Sequence, residues 1–368
     1  MKIGFDAKRL YMNSSGLGNY SRNLVTNMNK LFPANEYVLF TPHLNQKQKS
    51  FCENPFVNVL PNGFLNRTFP SKWRSNSIIS QINEQKLDVF HGLSNELPYT
   101  IADFKGKKIV TIHDLIFIRF PEYYSAFDRA NYRKKVTSAC NLADVIIAIS
   151  HQTKNDLIEF LKVDSAKIRV VYQSCEEVFW NYKTVQDLSV FTQNNLPENF
   201  ILYVGTVEPR KNLLQLVNAL PSVDMPLVVV GRVKSAYGKK VTDAIETLKL
   251  NNKVHFVQNV SNNQLASLYA KAKCLVYPSS FEGFGLPVLE AMVCGCPVIT
   301  GKNSSLVEVG GNAVSYVENL NNVDEIVSEI NRLLVSSSLQ EEQTKAGFLR
   351  SMEFTTEEWI KNTISLYV

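Results

Sequence analysis

The chain has 368 residues, and at about 100–200 residues per domain this length favours two domains over one. Hydrophobic residues make up 45% of the sequence and charged residues 20%, which excludes a disordered chain, a collagen-like repeat and a coiled coil. The formal charge of +5 suits a phosphate-bearing ligand or an anionic membrane surface, but it is too small to indicate a nucleic-acid partner.

The cysteines and the apolar segments bear on the cellular compartment. Six cysteines are scattered along the chain without the paired spacing of a zinc site or a disulfide framework, at positions 52, 140, 175, 274, 294 and 296. The N-terminus enters a strand-like segment without a signal-peptide pattern, and no run of about 18 apolar residues occurs. We therefore expect a cytoplasmic protein in a reducing environment.

The first half alternates short β-branched runs with longer amphipathic stretches, which is typical of βαβ units and a parallel sheet. The predicted strands are residues 2–6, 37–41, 88–91, 108–113, 145–149 and 168–172. The predicted helices are residues 20–31, 71–85, 123–142 and 151–161, with Ser150 as the N-cap of the last.

The second half restarts the same pattern, with predicted strands at residues 200–204, 227–230, 254–257, 274–277, 298–300 and 313–316. The periodicity fades over residues 176–199, so we assign them to a linker between an N-terminal domain, 1–175, and a C-terminal domain, 200–350. Residues 351–368 indicate an amphipathic helix that carries Trp359 and packs back on the N-terminal domain. The fold class is α/β, with two parallel-sheet domains that face each other across a ligand cleft.

The most informative stretch is a strand, a glycine-rich turn and a helix start at residues 274–290. Such a turn exposes backbone N–H groups at the positive end of the helix dipole, which suits a diphosphate or sugar hydroxyls. The amides concerned are those of Gly283, Phe284, Gly285 and Leu286. Glu282 precedes the helix and Glu290 lies inside it, so the two carboxylates address different parts of one ligand. Without this turn between them, they would be ordinary solvated positions.

A basic pair opens the first helix of the second half. Arg210 and Lys211 follow a predicted strand and the Gly205 turn, so two cations and a helix start converge where a leaving diphosphate needs stabilisation. The simpler alternative is a solvated dipeptide in a loop, which Pro209 makes less favourable.

These motifs resemble the retaining GT-B glycosyltransferases of family 4, also called glycosyltransferase group 1, over nearly the whole chain. The spacing of Glu282 and Glu290 around Gly-Phe-Gly-Leu-Pro carries the resemblance, with residues 15–20, 111–114 and 205–212 as further anchors. The resemblance implies two Rossmann-like domains, with a nucleotide-sugar held mainly by the C-terminal one. Thr206 departs from the pattern, since many relatives have a second arginine there.

The resemblance also implies roles for single residues. Glu290 would bind the ribose hydroxyls, Glu282 and the neighbouring amides the transferred sugar, and Arg210 with Lys211 the diphosphate. His113, at a strand end, would contact the transferred sugar and the reaction centre in a transfer that retains anomeric configuration. His91 is a secondary candidate with an equally plausible capping role, and Asp114 is expected to be a loop or helix-end partner.

Two glycines near the N-terminus are predicted to lie in a donor-binding loop. Gly16 and Gly18 would let the backbone approach the diphosphate, although an ordinary turn explains a lone Gly-x-Gly equally well. A third glycine and the acidic residue of the dinucleotide-binding fingerprint are missing, which argues against an NAD enzyme.

The resulting hypothesis is a retaining hexosyltransferase, mannosyltransferase-like, that acts on a glycan or lipid-linked glycan acceptor in bacterial surface polysaccharide synthesis. GDP-mannose is the favoured donor, UDP-sugars stay open, and no metal or other cofactor is expected. The alternatives are a nucleotide-sugar epimerase and a non-catalytic nucleotide-sugar-binding subunit. Residues 117–135 mix aromatic and basic side chains and indicate either a peripheral membrane contact or a buried loop followed by a solvated basic face.

Overall fold

The computed structural model describes residues 1–233 and 235–368 and divides them into two compact units. The first unit contains Met1–Gln173 and Thr356–Val368, and the second contains Ser174–Thr355. In the described residues, no helix is both long and apolar enough to cross a bilayer.

The first unit is built on a seven-stranded, wholly parallel sheet of order β3-β2-β1-β4-β5-β6-β7. Its strands are β1 (Lys2–Asp6), β2 (Glu36–Phe40), β3 (Phe56–Val59), β4 (Val89–Gly92), β5 (Lys107–Ile112), β6 (Val145–Ala148) and β7 (Ile168–Val170). Its helices are α1 (Lys8–Met12), α2 (Gly16–Leu31), α3 (Gly63–Thr68), α4 (Pro70–Lys72), α5 (Ile79–Glu84), α6 (Ile116–Arg119), α7 (Ala126–Leu142) and α8 (His151–Leu161).

The second unit has a six-stranded parallel sheet of order β10-β9-β8-β11-β12-β13. Its strands are β8 (Ile201–Val204), β9 (Leu227–Val230), β10 (Val254–Val257), β11 (Cys274–Tyr277), β12 (Val298–Gly301) and β13 (Ser315–Val317). Its helices are α9 (Glu177–Trp180), α10 (Ser189–Gln193), α11 (Leu213–Ala219), α12 (Ala236–Thr247), α13 (Asn262–Lys271), α14 (Leu286–Val293), α15 (Ser304–Gly310), α16 (Val323–Val335) and α17 (Ser337–Ser351).

Most sequence-predicted elements are present, and the differences have local causes. Strand β3 was not predicted, because it is a four-residue edge strand with one exposed side chain, and Pro55 and Pro61 flank it closely. The predicted helix 71–85 is divided into α4, a π-helical turn at Trp73–Ser77 and α5. The predicted N-cap is confirmed, since the Ser150 side chain accepts a hydrogen bond from the Thr153 amide.

The segment 176–199, expected to be a linker, carries the short helices α9 and α10 and lies within the second unit. Helix α9 lies against α13 and α14 of that unit. Burial of Phe179 and Val190 gives both short helices an apolar anchor that the weak periodicity of the segment does not reveal.

The last helix, α18 (Thr356–Ser365), belongs to the first unit. Trp359 is buried with its ring centroid 5.3 Å from that of Tyr20 in α2. Beyond the helix, the Tyr367 hydroxyl lies 2.6 Å from Nδ1 of His91. The C-terminus is therefore fixed to the N-terminal sheet by an aromatic contact and a buried hydrogen bond.

Candidate active site

The glycine-rich turn of the second unit links β11 to α14. Gly285 is the N-cap of α14, with φ of +110°, a backbone conformation that L-residues with a side chain rarely adopt. A Cβ atom at this position would also lie 2.9 Å from Cδ2 of Leu306. The turn therefore requires glycine for its backbone conformation and for its close contact with α15.

Two serines at the start of α15 hold the turn in place. The Ser305 hydroxyl lies 2.8 Å from the carbonyl oxygens of Glu282 and Phe284, and the Ser304 hydroxyl accepts the Glu282 N–H at 3.1 Å. The sequence analysis missed both residues. The available signal was a serine pair at a strand-to-helix junction, a pattern too common to point to one particular loop.

The amides of the turn have unused hydrogen-bonding capacity. In the described part of the chain, the N–H groups of Gly283, Gly285 and Leu286 have no hydrogen-bond partner. They lie at the N-terminal end of α14, where the helix dipole favours negative charge. The turn is therefore suited to an anionic or hydroxyl-bearing ligand.

Glu282 lies at the centre of the site and is 9% exposed. Its Oε1 atom lies 2.7 Å from Nζ of Lys211 and 2.8 Å from Nη1 of Arg210. The hydroxyls of Ser279 and Tyr277 donate to the same oxygen at 2.6 and 2.8 Å. Its other oxygen, Oε2, takes no hydrogen bond from the described residues, so half of the carboxylate is available to a ligand.

The cations determine the charge of Glu282. Burial favours the neutral acid, but the neighbouring charges of Lys211 and Arg210 outweigh it and lower the pKa of Glu282 to about 2. The group is therefore ionised throughout the physiological range.

Arg210 and Lys211 lie in a 3₁₀ turn, Pro209–Lys211, that follows β8. Arg210 also pairs with Glu208 at 2.5 Å and donates to the carbonyl oxygen of Phe281, and Lys211 donates to the hydroxyl of Tyr277. The structure thus brings the predicted cations together with the first predicted glutamate. Thr206 is exposed, and its carbonyl accepts a hydrogen bond from Tyr203.

Glu290 occupies a different environment inside α14. It is half-buried, and its Oε2 atom accepts a hydrogen bond of 2.9 Å from the hydroxyl of Tyr269. Burial, together with the negative charge of Glu176, raises the pKa of Glu290 to about 7 despite that hydrogen bond. Tyr269 is a second residue that the sequence analysis missed, because it lies on a separate helix, α13.

In the first unit, His113 directly follows β5 and is buried. Its Nε2 atom lies 2.8 Å from the carbonyl oxygen of Leu93, which can only accept, so Nε2 carries the proton. Burial lowers the pKa of His113 to about 4, so the ring is neutral at pH 7 and Nδ1 has a free lone pair. The backbone is fixed too, since the His113 N–H donates to Oδ1 of Asn95 and its carbonyl accepts from Thr153.

His91 has a structural role in the buried core. Its Nε2 atom lies 2.8 Å from the Thr111 hydroxyl and its Nδ1 atom 2.6 Å from the Tyr367 hydroxyl, so both ring nitrogens are engaged. Burial, with a smaller contribution from His113, lowers the pKa of His91 to about 3. Oδ1 of Asp114 accepts the Ile116 N–H at 3.1 Å, as expected for a loop partner.

The prediction that Gly16 and Gly18 lie in a loop is wrong, because both belong to the first turn of α2. A Cβ atom on Gly18 would lie 1.9 Å from the carbonyl oxygen of Asn13, so close backbone packing explains this glycine. A Cβ atom on Gly16 would have no neighbour within 4 Å. The N-cap position of Ser15 extends the helix four residues before the predicted start.

The site also bears on metal binding. Within residues 1–233 and 235–368, no three or more His, Cys, Asp or Glu side chains are grouped as metal ligands would be. The positive charges near the glycine-rich turn come from Arg210 and Lys211.

Two family models match the chain, one in each half. The model described as "Glycosyltransferase Family 4" matches residues 14–174, and the model described as "Glycosyl transferases group 1" matches residues 186–350. Together they cover most of the sequence. The chain belongs to the family 4, group 1 glycosyltransferases.

Similar sequences include two bacterial glycosyltransferases. An "O-antigen chain mannosyltransferase B" of Escherichia coli is 28% identical over 100% of this chain and 99% of its own length. The "O-antigen chain mannosyltransferase RfbU" of Salmonella typhimurium is 31% identical over 56% of each chain.

Solved structures show the same fold. A sucrose-phosphate synthase from Thermosynechococcus elongatus aligns with a TM-score of 0.80 at 20% identity, covering 100% of this chain and 98% of that one. HepE of Anabaena, solved in complex with UDP and glucose, aligns with a TM-score of 0.79 at 17% identity over 100% of this chain and 99% of its own. The glycosyltransferase chain therefore has the GT-B fold.

The raised pKa of Glu290 predicts a pH-dependent cost to stability. A group whose folded pKa lies above its unfolded value stabilises the fold fully below the unfolded pKa, about 4.5, and this contribution is lost as pH rises through about 7. We expect Glu290→Gln to raise the melting temperature relative to wild type more at pH 8.5 than at pH 5. Each 1 kcal/mol corresponds to about 2–4 °C in a domain of roughly 150–250 residues.

The measurement is calorimetry at both pH values. Glu341→Gln is the matched control, because Glu341 is exposed on α17 and its replacement should give the same small change at both pH values. An equal effect of Glu290→Gln at pH 5 and pH 8.5 would contradict the raised pKa.

Proposed function

We propose that this glycosyltransferase moves mannose from a nucleotide diphosphate donor to a glycan acceptor during surface polysaccharide synthesis, with retention of configuration. One observation carries the proposal: unpaired turn amides, two cations and an ionised carboxylate meet at the start of α14. Two similar sequences, described as O-antigen chain mannosyltransferases, support the sugar and the setting.

The donor diphosphate suits the cationic side of the site. Lys211, Arg210 and the amides of residues 283–286 provide N–H donors and positive charge, so they stabilise the diphosphate as it leaves and replace a metal ion in that role. The ionised Glu282 keeps both cations in place through Oε1. Its Oε2 atom then accepts hydrogen bonds from hydroxyls of the transferred sugar.

Glu290 is assigned to the ribose. Its position inside α14 fixes the carboxylate, and Oε1 takes no hydrogen bond from the described residues, while Oε2 is held by Tyr269. Two vicinal ribose hydroxyls can donate to such a carboxylate. GDP-mannose is the preferred donor, and a UDP-sugar is the alternative.

His113 acts as a neutral hydrogen-bonding group in this proposal. Its proton is on Nε2 and is already donated to Leu93, so Nδ1 can accept from a sugar hydroxyl and orient the ring. In the transfer, the bond between C1 and the phosphate oxygen breaks and the acceptor oxygen bonds to C1 on the same face. The acceptor proton moves to the departing diphosphate, which needs no separate general base.

Replacing the assigned groups should separate binding from turnover. We expect Glu290→Ala chiefly to weaken donor binding, and Glu282→Ala and His113→Ala mainly to lower kcat, because the latter groups act on the reacting sugar. The loss of one charge-assisted hydrogen bond, about 1.5–3 kcal/mol, corresponds to roughly ten- to a hundredfold. Calorimetric titration with GDP-mannose and transfer of labelled mannose provide the two measurements.

Exposed Glu342 of α17 provides the control, and Glu342→Ala should match wild type. Wild-type kinetics in all three site variants would refute the assignment. Isomerisation of the donor sugar without acceptor would instead identify an epimerase, and donor binding without transfer or hydrolysis would identify a binding subunit.

A peripheral membrane contact is part of the proposal, and the structure favours a different surface from segment 117–135. Phe117 is buried and Lys135 pairs with Glu96, so part of that segment is committed to the fold. By contrast, α3 has no buried residue, and Phe64 and Leu65 are 82% and 70% exposed.

The surroundings of α3 suit an anionic bilayer. Phe69, just beyond the helix, is 57% exposed, and the basic side chains of Arg67 and Lys72 are exposed beside it. No aspartate or glutamate occurs between residues 54 and 83. Aromatic and aliphatic side chains with neighbouring cations and no carboxylates are typical of an interfacial anchor.

We expect the double variant Phe64→Ser/Leu65→Ser to lose co-sedimentation with phosphatidylglycerol vesicles at least tenfold, since each buried apolar side chain contributes about 1.5–3 kcal/mol. Phe127→Ser is the matched control, because Phe127 is 79% exposed but lies in segment 117–135. Loss of binding by Phe127→Ser alone would place the contact in that segment. Unchanged binding by the double variant would contradict the role of α3.

A further inference from the structure

The first unit contains a cavity of about 180 Å³ beside His113, formed by the loop after β4 and by residues of α6 and α7. This volume is of the order of the 150 Å³ that an engineered cavity needs to hold one benzene ring. The cavity therefore has room for one six-membered ring rather than for a nucleotide.

A buried hydroxyl in the cavity wall lacks a partner. Ser94 is 5% exposed and lines the cavity, and its Oγ atom has no hydrogen bond in the described part of the chain. Because a buried hydroxyl without a partner is costly, such a group points to a ligand that supplies the missing hydrogen bond.

The same loop holds His113 from both sides of Ser94. The carbonyl of Leu93 accepts the Nε2 proton of His113, and Oδ1 of Asn95 accepts its backbone N–H at 2.8 Å. Asn95 itself has φ of +62°, and its own N–H donates to the carbonyl of Thr111, which joins the ends of β4 and β5. The unpaired hydroxyl thus lies in a rigid segment next to the proposed reaction centre.

The charges around the cavity are largely compensated. Glu96 pairs with Lys135 at 3.3 Å and with Arg74 at 2.5 Å, and Arg74 also pairs with Asp6 at 2.6 Å. A phosphate or carboxylate would have to compete with these carboxylates for the cations. The wall therefore suits a neutral ligand.

Aromatic side chains form the opposite wall. Tyr132 contacts the rings of Phe117 and Tyr124 edge to face, with centroids 5.7 and 6.1 Å apart. These rings present apolar surface to a ligand that also needs a hydrogen-bonding partner for Ser94. A neutral pyranose, with its C–H face and its hydroxyls, meets both requirements.

We propose that this cavity is the subsite for the terminal neutral pyranose of the acceptor, with Ser94 as a hydrogen-bonding residue that determines acceptor specificity. The inference rests on the proposed function, because it places the acceptor sugar beside His113. Since the loop 93–96 forms the subsite and fixes His113, acceptor binding and orientation of the histidine depend on one segment.

The test uses the full chain saturated with GDP and methyl α-mannopyranoside as a neutral pyranoside probe. Saturation-transfer NMR measures the probe's Kd in wild type, in Ser94→Ala, which removes the hydroxyl, and in Ser94→Leu, which fills the cavity. One lost hydrogen bond, about 1 kcal/mol, predicts a five- to tenfold higher Kd for Ser94→Ala. Ser94→Leu should bind no probe, while GDP affinity stays unchanged in both variants.

Ser80→Ala, at an exposed serine of α5, is the control and should match wild type. An unchanged probe Kd in Ser94→Ala, or no probe binding in wild type, would overturn the inference while GDP binding still supports the donor site. If Ser94→Leu does not fold, Ser94→Ala decides alone. A weakened affinity for GDP-mannose with an unchanged probe Kd would assign the cavity to the donor sugar and also overturn it.

Discussion

The second unit depends on one buried ionic contact, that of Glu282 with Lys211 and Arg210. A buried carboxylate is tolerated only where cations and hydrogen-bond donors compensate its lost hydration, and here two cations and two hydroxyls converge on one oxygen. This contact joins the turn after β8 to the loop after β11. The same loop carries the unpaired amides, so the contact that stabilises the fold also positions the ligand-binding groups.

The two glutamates of the site show how surroundings separate the roles of identical side chains. Cations keep the pKa of Glu282 at about 2, whereas burial without a cation raises that of Glu290 to about 7. Glu282 therefore supplies a constant negative charge near the reacting sugar. Glu290 gains its charge within the physiological range, which links donor binding to pH and reduces stability at high pH.

Sequence patterns predicted most of the sheet and the main part of the donor site, because those features are local. Buried parallel strands are continuous apolar runs, and the turn at Gly285 has a glycine where the backbone requires one. The sequence could not reveal the residues that act across the fold. Ser305 and Tyr269 approach the site from separate helices, and Ser94 is notable only because folding leaves its hydroxyl unpaired.

Glycines near the N-terminus show the limit of motif reading. Gly18 fits a phosphate-binding loop by sequence, but its lack of a side chain is explained by a carbonyl oxygen of the chain itself. Likewise, His91 and His113 both lie at strand ends, but only His113 keeps a ring nitrogen without a protein partner. The hydrogen bonds, and not the spacing, distinguish the two.

The most direct test of the donor site compares GDP with GMP in calorimetric titrations of wild type and Lys211→Met. If the cations and amides hold the diphosphate, wild type should bind GDP more tightly than GMP, and the substitution should reduce that preference roughly ten- to a hundredfold, the effect of one charge-assisted hydrogen bond. The same preference for GDP in both proteins would show that the second phosphate is held elsewhere and would contradict the account.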